Sequence, residues 1–141
     1  MNIPERESVS VEFKQSLEDT VIETLVAFSN TKGGAVYIGV SNTGVVTGVT
    51  IGRETIPKFL NKIKQLTSPS LDPNVELLEL GEKQIIIITV EVHTLKPVSM
   101  QSNYFKRNDA SNHKMSTEEI SKMYMKTINS TWDMLPDEYH T

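Results

Sequence analysis

Two glutamates near the start of the chain have a spacing at which carboxylates can share a metal ion. Glu7 and Glu12 are five residues apart around the entrance of a predicted β-strand, so both side chains can reach one edge of that strand. Paired carboxylates of this kind can hold Mg²⁺ or Mn²⁺ for phosphoryl chemistry. The alternative is that both are solvated acids, as charged side chains usually are.

A second candidate is a polar corner that contains Asn30, Gly33 and Gly34. The corner follows a helical pattern of apolar residues and precedes a strand that begins at Ala35. Asn30 and Gly33 suit left-handed backbone values at a helix C-terminus, and Gly34 allows a tight turn into the sheet. Such a corner can present backbone amides to an anion such as a phosphate, or it can simply turn the chain.

The third candidate is a basic segment between residues 96 and 114. It combines cationic side chains with amides, hydroxyls and the aromatics Tyr104 and Phe105, and Asp109 is its one acid. The candidate contact residues are Lys96, Tyr104, Lys106, Arg107, Asn112 and Lys114. This mixture suits contacts to a sugar-phosphate backbone, with an aromatic that can stack on an unpaired base. A solvated hairpin with one aromatic turned inward would have the same composition.

Hydrophobic periodicity predicts the elements that position these residues. Six strands are predicted, at residues 9–13, 35–41, 45–49, 75–80, 84–92 and 104–107. Three helices are predicted, at 17–31, at 56–66 and after a capping box at Ser116–Glu119. Residues 108–114 are expected to form a polar loop, and Trp132 is expected to close the core.

The predicted order is β-α-β-β-α-β-β-β-α. It favours an α+β fold with a mixed, mostly antiparallel sheet and about three helices, rather than a run of βαβ units. A doubly wound nucleotide-binding fold is therefore not expected.

Composition favours a single cytoplasmic domain that spans residues 1–141. The 141 residues are 38% hydrophobic, include no cysteine and contain no apolar run of membrane-spanning length, so neither a disulfide framework nor a membrane partner is expected. The formal net charge of −4 argues against a protein that coats nucleic acid with its whole surface. Any nucleic-acid contact would therefore depend on a local basic surface.

Several sequence blocks together resemble the Schlafen AlbA-type domain, a DNA-binding family. The blocks occur in the family's order and extend from about Pro4 to Asp133. They are Glu7-Ser8, Glu12-Phe13-Lys14, Ala27–Gly34, Tyr37–Val40, Gly44–Gly48, Lys96-Pro97 and Tyr104–Arg107. Residues 111–115 and 129–133 are most similar to a bacterial set of transcriptional regulators, some of them described as RecG-related.

The resemblance implies a nucleic-acid-binding domain at the N-terminus of a longer regulator, ahead of ATPase-like and winged-helix segments. Under this hypothesis, phosphates meet Lys96, Lys106, Arg107 and Lys114, with Tyr104 and Asn112 in the same surface. Asn30, Lys32 and Gly33 shape the adjacent surface, and DNA or RNA is the partner. No cofactor is expected.

The resemblance also implies a catalytic alternative. In vertebrate Schlafen proteins a related core cleaves RNA with three carboxylates, of which two would correspond to Glu7 and Glu12 here. The third would fall at Ser41 or Asn42, and neither is an acid. Because a neutral ligand weakens binding of Mg²⁺ or Mn²⁺, the departure favours binding over cleavage. A further alternative is an assembly or sensing module that pairs with a second copy through a sheet edge or the Trp132 region.

Overall fold

The computed structural model describes residues 3–133, so the ends of the domain predicted over residues 1–141 lie outside the described part. Within it the chain forms three helices and eight strands. The helices are α1 (Asp19–Ser29), α2 (Thr55–Leu66) and α3 (Thr117–Asp133). The strands are β1 (Val11–Lys14), β2 (Gly34–Ile38), β3 (Thr67–Ser68), β4 (Asn74–Leu80), β5 (Lys83–Val90), β6 (Ser99–Met100), β7 (Asn103–Asn108) and β8 (Ser111–Lys114).

The strands form two four-stranded sheets. The first has the order β1-β2-β5-β4, with β1 parallel to β2 and the other pairs antiparallel. The second has the order β3-β6-β7-β8 and is antiparallel throughout. Strand β5 lies inside the first sheet, which explains why Ile85, Ile86, Ile87 and Ile88 are all buried although they alternate between its faces.

The predicted α+β class, its three helices and its mixed, mostly antiparallel pairing are confirmed. Two segments differ in detail from the sequence prediction. The return strand at 45–49 is reduced to one bridge between Val40 and Val46, because Gly44 and Gly48 take positive φ values that interrupt extended pairing. The polar loop at 108–114 contains β8, since a turn at Asp109, where φ is +52°, folds the chain back on β7.

Helix α1 lies between the two sheets. Every residue from Leu25 to Ser29 is buried, and α1 contacts β2 and β5 of the first sheet and β6, β7 and β8 of the second. The main core is formed where α1 and α2 pack on the first sheet. A smaller cluster of Phe13, Val40, Ile85 and Ile87 covers the opposite face of that sheet.

Helix α3 packs on the face of β7 that points away from α1. The capping box is confirmed, because Glu119 N donates to Ser116 Oγ (3.1 Å) and Ser116 N donates to Glu119 Oε1 (3.0 Å). The expectation that Trp132 closes the core is wrong: this side chain is 46% exposed, because α3 lies on the periphery. Across residues 3–133, no helix combines the length and apolar character needed to cross a membrane.

Candidate functional site

At the predicted corner after α1, the backbone of Gly33 and Gly34 lies close to the backbone of neighbouring segments. Gly33 has a φ of +74°, in the left-handed region as expected, and its N–H donates to Phe28 O at 2.8 Å. Gly34 is required for a different reason: a Cβ there would lie 2.7 Å from Ser10 O, a distance that no side chain tolerates. Both glycines therefore serve the chain path from α1 into β2.

Asn30 has a structural role in this corner that differs from the left-handed backbone expected of it. Its φ is −91°, a right-handed value, so that expectation is wrong. The buried side chain instead binds the segment before β6. Asn30 Nδ2 donates to Val98 O and Phe105 O, both at 2.9 Å, and Asn30 Oδ1 accepts from Val98 N at 2.7 Å. Asn30 thus satisfies three buried backbone groups that would otherwise lack a partner.

The loop of residues 93–98 is consequently held at both ends by the last residues of α1. At its start His93 N donates to Ser29 O (2.9 Å), and at its end Val98 bonds to Asn30. Helix α3 holds its middle, because Thr127 Oγ1 donates to Lys96 O (2.7 Å). Lys96 is therefore presented by a loop that is anchored at three points.

An open groove of about 750 Å³ separates this loop from α3. Two lysines, one from each wall, and several hydroxyls line it, and no aspartate or glutamate is among the described residues that do. Its lining is Val92, His93, Thr94, Leu95, Lys96, Lys126, Thr127, Ser130 and Thr131. The groove is therefore suited electrostatically to an anion.

Lys32 is exposed, and the glycine that follows it contacts the chain that leads into the groove. The adjacent Gly33 lies against the backbone of β5 and the residues that follow it, since a Cβ at Gly33 would be 2.9 Å from Val90 O and 3.4 Å from Val92 N. Residue 92 is also the first residue of the groove lining. The corner therefore brings Lys32 to the segment that leads to Lys96.

Arg107, predicted to contact phosphate, lies inside the protein. Its side chain has no exposed surface, and its guanidinium donates five hydrogen bonds within the fold. The acceptors are Ser8 O (twice), Val11 O, Glu12 Oε1 and Asn112 Oδ1. The prediction that Arg107 contacts phosphate is wrong. Side chains alternate between the two faces of β7, and that of Arg107 lies on the face toward α1 and β1 instead of solvent.

Tyr104 and Lys106 face the opposite way from Arg107 and meet α3. The hydroxyls of Tyr104 and Tyr124 lie 3.2 Å apart, and Lys106 donates a short hydrogen bond to Glu119. That bond, more than any other interaction, lowers the pKa of Glu119 to about 2, with help from Ser116 N. Lys106 is therefore neutralised by a carboxylate that stays ionised at any physiological pH.

The remaining two residues of the predicted basic surface have different environments. Asn112 is partly buried, where it accepts from Arg107 and donates to Thr24 Oγ1 at 2.9 Å. Lys114 is exposed at the end of the edge strand β8. The cations that the structure brings near the groove are thus Lys32 and Lys126, which are exposed, and Lys96, which is half-buried, whereas Lys114 lies on a separate strand.

Glu7 and Glu12 do lie together, as their spacing predicts. Glu7 Oε2 accepts from Phe13 N (3.0 Å), and Glu12 Oε1 accepts from Arg107 Nη1 (2.8 Å). Burial is the largest cause that raises the pKa of Glu12, to about 7, and the neighbouring Glu7 carboxyl raises it further; Arg107 acts in the opposite direction but does not prevail. The Glu12 carboxyl therefore holds its proton to a higher pH than an ordinary glutamate does.

The position of a third catalytic acid is occupied by a neutral turn. Ser41 Oγ lies 3.0 Å from Thr43 Oγ1 and accepts from Val45 N, while Asn42 is exposed. In residues 3–133, no three acidic or imidazole side chains form a cluster that could hold a metal ion. Glu7 and Glu12 consequently lack a third ligand of that type.

Sequence reasoning missed the α3 side of the groove. Lys126, Ser130 and Thr131 line it, together with Thr127. Their helical spacing was a usable signal, since positions separated by four residues lie on one face of a helix. The sequence prediction for this helix used only its apolar positions and therefore did not include this polar face.

Comparison with known proteins identifies the family of the chain. The family model described as Schlafen, AlbA_2 matches residues 7–116, which confirms the resemblance. No curated protein sequence gives a match. The match to the family ends just before α3, so the helical wall of the groove lies outside the matched range.

Two solved structures share the fold. The DIP2311 protein from Corynebacterium diphtheriae has a TM-score of 0.68 and 19% identity, over 83% of this chain and 24% of that chain. The N-terminal domain of a RecG-related protein from Nitrosomonas europaea has a TM-score of 0.60 and 20% identity, over 78% of this chain and 85% of that domain. This chain thus spans about a quarter of the length of the Corynebacterium protein.

Proposed function

The chain belongs to the Schlafen, AlbA_2 family, and from this premise we propose that it is a nucleic-acid-binding module of a larger regulatory protein. The observation that carries the proposal is the groove between residues 92–96 and α3, in which Lys96 and Lys126 face a space lined by no described carboxylate. Lys32 adds a third cation, which is exposed, next to the segment that forms one wall. Phosphate groups are the anions that such a surface would meet along DNA or RNA.

The proposed binding is weak and strongly dependent on salt. Two of the predicted cations are not available to a ligand, because Arg107 is buried and donates within the fold and Lys106 is paired with Glu119. Three phosphate contacts by the remaining lysines would give a slope of log K against log salt of about −2 to −3. Sequence-specific readout would then belong to other parts of the regulator, which the proposal places in the cytoplasm.

Fluorescence anisotropy with labelled single-stranded and duplex DNA and RNA at low salt tests this function. The double variant Lys32→Gln, Lys96→Gln is expected to weaken binding and to flatten the salt dependence. Lys58→Gln with Lys64→Gln is the matched control, because both lysines are exposed on α2. If no nucleic acid binds, or if both double variants bind as well as the wild type, the proposal is rejected.

A metal-dependent endoribonuclease is the second candidate, favoured by the adjacency of Glu7 and Glu12. Against it, Arg107 already donates to one of the two Glu12 carboxyl oxygens that could bind Mg²⁺ or Mn²⁺. Structured RNA incubated with manganese should be compared for wild type and Glu12→Gln. Equal cleavage by the two proteins would remove this candidate.

The third candidate function is that of an assembly module, which pairs with a second copy of the chain within the larger regulator. Light scattering at high protein concentration measures it directly. A monomer at every concentration would contradict a homodimer. The outcome does not affect the nucleic-acid proposal, since the groove is built from one chain.

A further inference from the structure

The groove between the 92–96 loop and α3 has two chemically different ends. One end is cationic and rich in hydroxyls, with Lys96, Lys126 and Ser130. The other continues into a space of about 320 Å³ lined by Leu95, Ile128 and Trp132, together with Thr127 and Thr131, which border both spaces. An anionic site is thus continuous with an apolar, aromatic one.

We infer that this groove binds a segment of single-stranded nucleic acid, with its phosphates at Lys96 and Lys126 and an unpaired base against Trp132. The inference rests on the proposed function and adds to it a binding path and a preference for single strands. It also assigns ligand contacts to α3, which the family match does not include.

The charge of the lining favours a phosphodiester over an apolar peptide or a second copy of the chain. Lys96 and Lys126 approach from opposite walls, and no described acid lines either space. The hydroxyls of Thr94 and Ser130 can donate to phosphate oxygens. An apolar partner would leave two lysines desolvated without a counter-charge, which is unfavourable.

His93 supplies a further donor to the same wall. Its Nδ1 accepts from Leu95 N at 2.9 Å, so in the neutral ring the proton is on Nε2. A ring fixed in this tautomer presents Nε2–H as a donor that a phosphate oxygen can accept. Neighbouring backbone bonds thus orient the histidine before any ligand arrives.

The aromatic end explains the expected preference for single strands. Trp132 is 46% exposed and Ile128 is 55% exposed, so part of the indole is accessible to a ring from solvent. Cationic grooves with an aromatic platform bind single strands because every unpaired base has a face that can stack. In a duplex the bases are already stacked on each other and their faces are unavailable. The larger space, about 750 Å³, is within the roughly 300–1,000 Å³ usual for ligand sites.

Trp132 is the single tryptophan of the chain, so its fluorescence reports on this groove alone. The full chain is titrated with an oligothymidylate, an oligouridylate of equal length and a duplex, excited where tyrosine does not absorb. Anisotropy of labelled copies of the same oligonucleotides measures total binding in parallel. Both single strands are expected to quench Trp132 at the concentrations where anisotropy rises, and the duplex is expected to quench it less.

Two variants separate the groove from the rest of the surface. Lys126→Gln is expected to reduce the magnitude of the salt slope by about 0.7, the share of one phosphate of a single strand. Lys122→Gln is the matched control on the same helix, because Lys122 pairs with Glu118 and does not line the groove. Trp132→Leu, followed by anisotropy, is expected to weaken single-strand binding roughly fivefold to 150-fold, the range for loss of one stacked base.

Each outcome decides the inference. Quenching by single strands, with a larger effect of Lys126→Gln than of Lys122→Gln, supports it. A second outcome is that anisotropy shows binding and that Lys32→Gln with Lys96→Gln weakens it, but Trp132 is not quenched and the two α3 lysine variants bind alike. This outcome overturns the binding path through the groove and leaves the proposed function standing. If anisotropy shows no binding of any oligonucleotide, both are overturned.

Discussion

Nη1 of Arg107 lies 2.8 Å from Oε1 of Glu12, and the two residues belong to different sheets. The guanidinium also donates to backbone carbonyls of Ser8 and Val11 and lies 5.0 Å above the ring of Phe28. This one side chain therefore connects β7 to β1 and to α1. A cation that the sequence assigned to a ligand is used to hold the two sheets together.

Arg107→Ala is expected to lower the free energy of unfolding by about 3–5 kcal/mol, because it leaves a buried carboxyl and several carbonyls without their donor. Arg107→Lys should recover only part of this loss, since an ammonium cannot reproduce the planar fork of donors. Urea denaturation measures both. Lys114→Ala, at an exposed end of the neighbouring strand, is the control, with an expected change within about 0.5 kcal/mol. Equal stabilities of the two alanine variants would contradict the structural role of Arg107.

Glu12 makes stability depend on pH in a direction opposite to that of most carboxylates. Its pKa is raised from 4.5 to about 7 in the folded protein, so between these values the folded state holds a proton that the unfolded state has lost. The free energy of unfolding should therefore fall as pH rises through this window, by at most about 1.4 kcal/mol per pH unit. Glu12→Gln cannot ionise and should flatten the curve.

The measurement is chemical denaturation of wild type and Glu12→Gln at a series of pH values from about 5 to about 8. The variant should resemble the wild type at the acidic end and exceed it in stability above neutrality, because glutamine imitates the protonated carboxyl. Glu79→Gln, on an exposed position of β4, is the control and should retain the wild-type slope. If Glu12→Gln also retains that slope, the Glu12 carboxyl is not the group responsible.

The sequence predicted correctly those elements whose pattern involves only residues close in sequence. The apolar run in β5, the periodicity of α1 and the capping box of α3 each concern residues close in sequence, and each is confirmed. The strand at 45–49 was overpredicted, because alternation alone does not show that Gly44 and Gly48 adopt positive φ. The two-residue strand β3 pairs with β6, which is more than 30 residues away, and no local pattern predicts it.

The site was harder to predict because it depends on which face each side chain takes. Lys106 and Arg107 are neighbours in sequence, yet one meets α3 and the other is buried against Glu12. Composition counts both as available cations. Only the pairing of β7 and the position of α1 distinguish them. The role of Asn30 likewise depends on Val98 and Phe105, which are 68 and 75 residues away.

Asn30→Asp is expected to destabilise the protein by at least about 3 kcal/mol, because a carboxylate would face two buried carbonyls to which Asn30 Nδ2 now donates. The nearly equal size of the two side chains removes packing from the comparison. Asn129→Asp, on an exposed position of α3, makes the same chemical change and should cost little. Urea denaturation of the pair measures the difference. Similar midpoints would show that the amide hydrogen bonds contribute little.

Gly34→Ala should cost about 1–3 kcal/mol, since the added Cβ would meet Ser10 O at 2.7 Å and the ring of Phe28 at 2.9 Å. Gly52→Ala is the matched control: its Cβ would have no neighbour closer than 3.5 Å, and its backbone is outside the left-handed region. That change should be neutral or should stabilise by up to about 1 kcal/mol, through the unfolded state. Thermal unfolding of both variants measures the difference. If the two substitutions change the midpoint of unfolding by the same amount, the close contact at Gly34 is refuted.

Glu119→Gln is expected to strengthen nucleic-acid binding, although it adds no contact. Glutamine still accepts from Ser116 N, so the start of α3 is preserved, but the negative charge that neutralises Lys106 is removed. The low pKa of Glu119, about 2, means that this charge is present throughout the pH range of a binding experiment. Anisotropy at low salt should show an affinity about twofold to fivefold higher than that of the wild type, the scale of one exposed ion pair. Glu118→Gln removes an equal charge beside Lys122, a lysine outside the basic segment of residues 96–114, and should have a smaller effect. An equal gain from both variants would mean that only net charge changed and that Lys106 does not reach the bound strand.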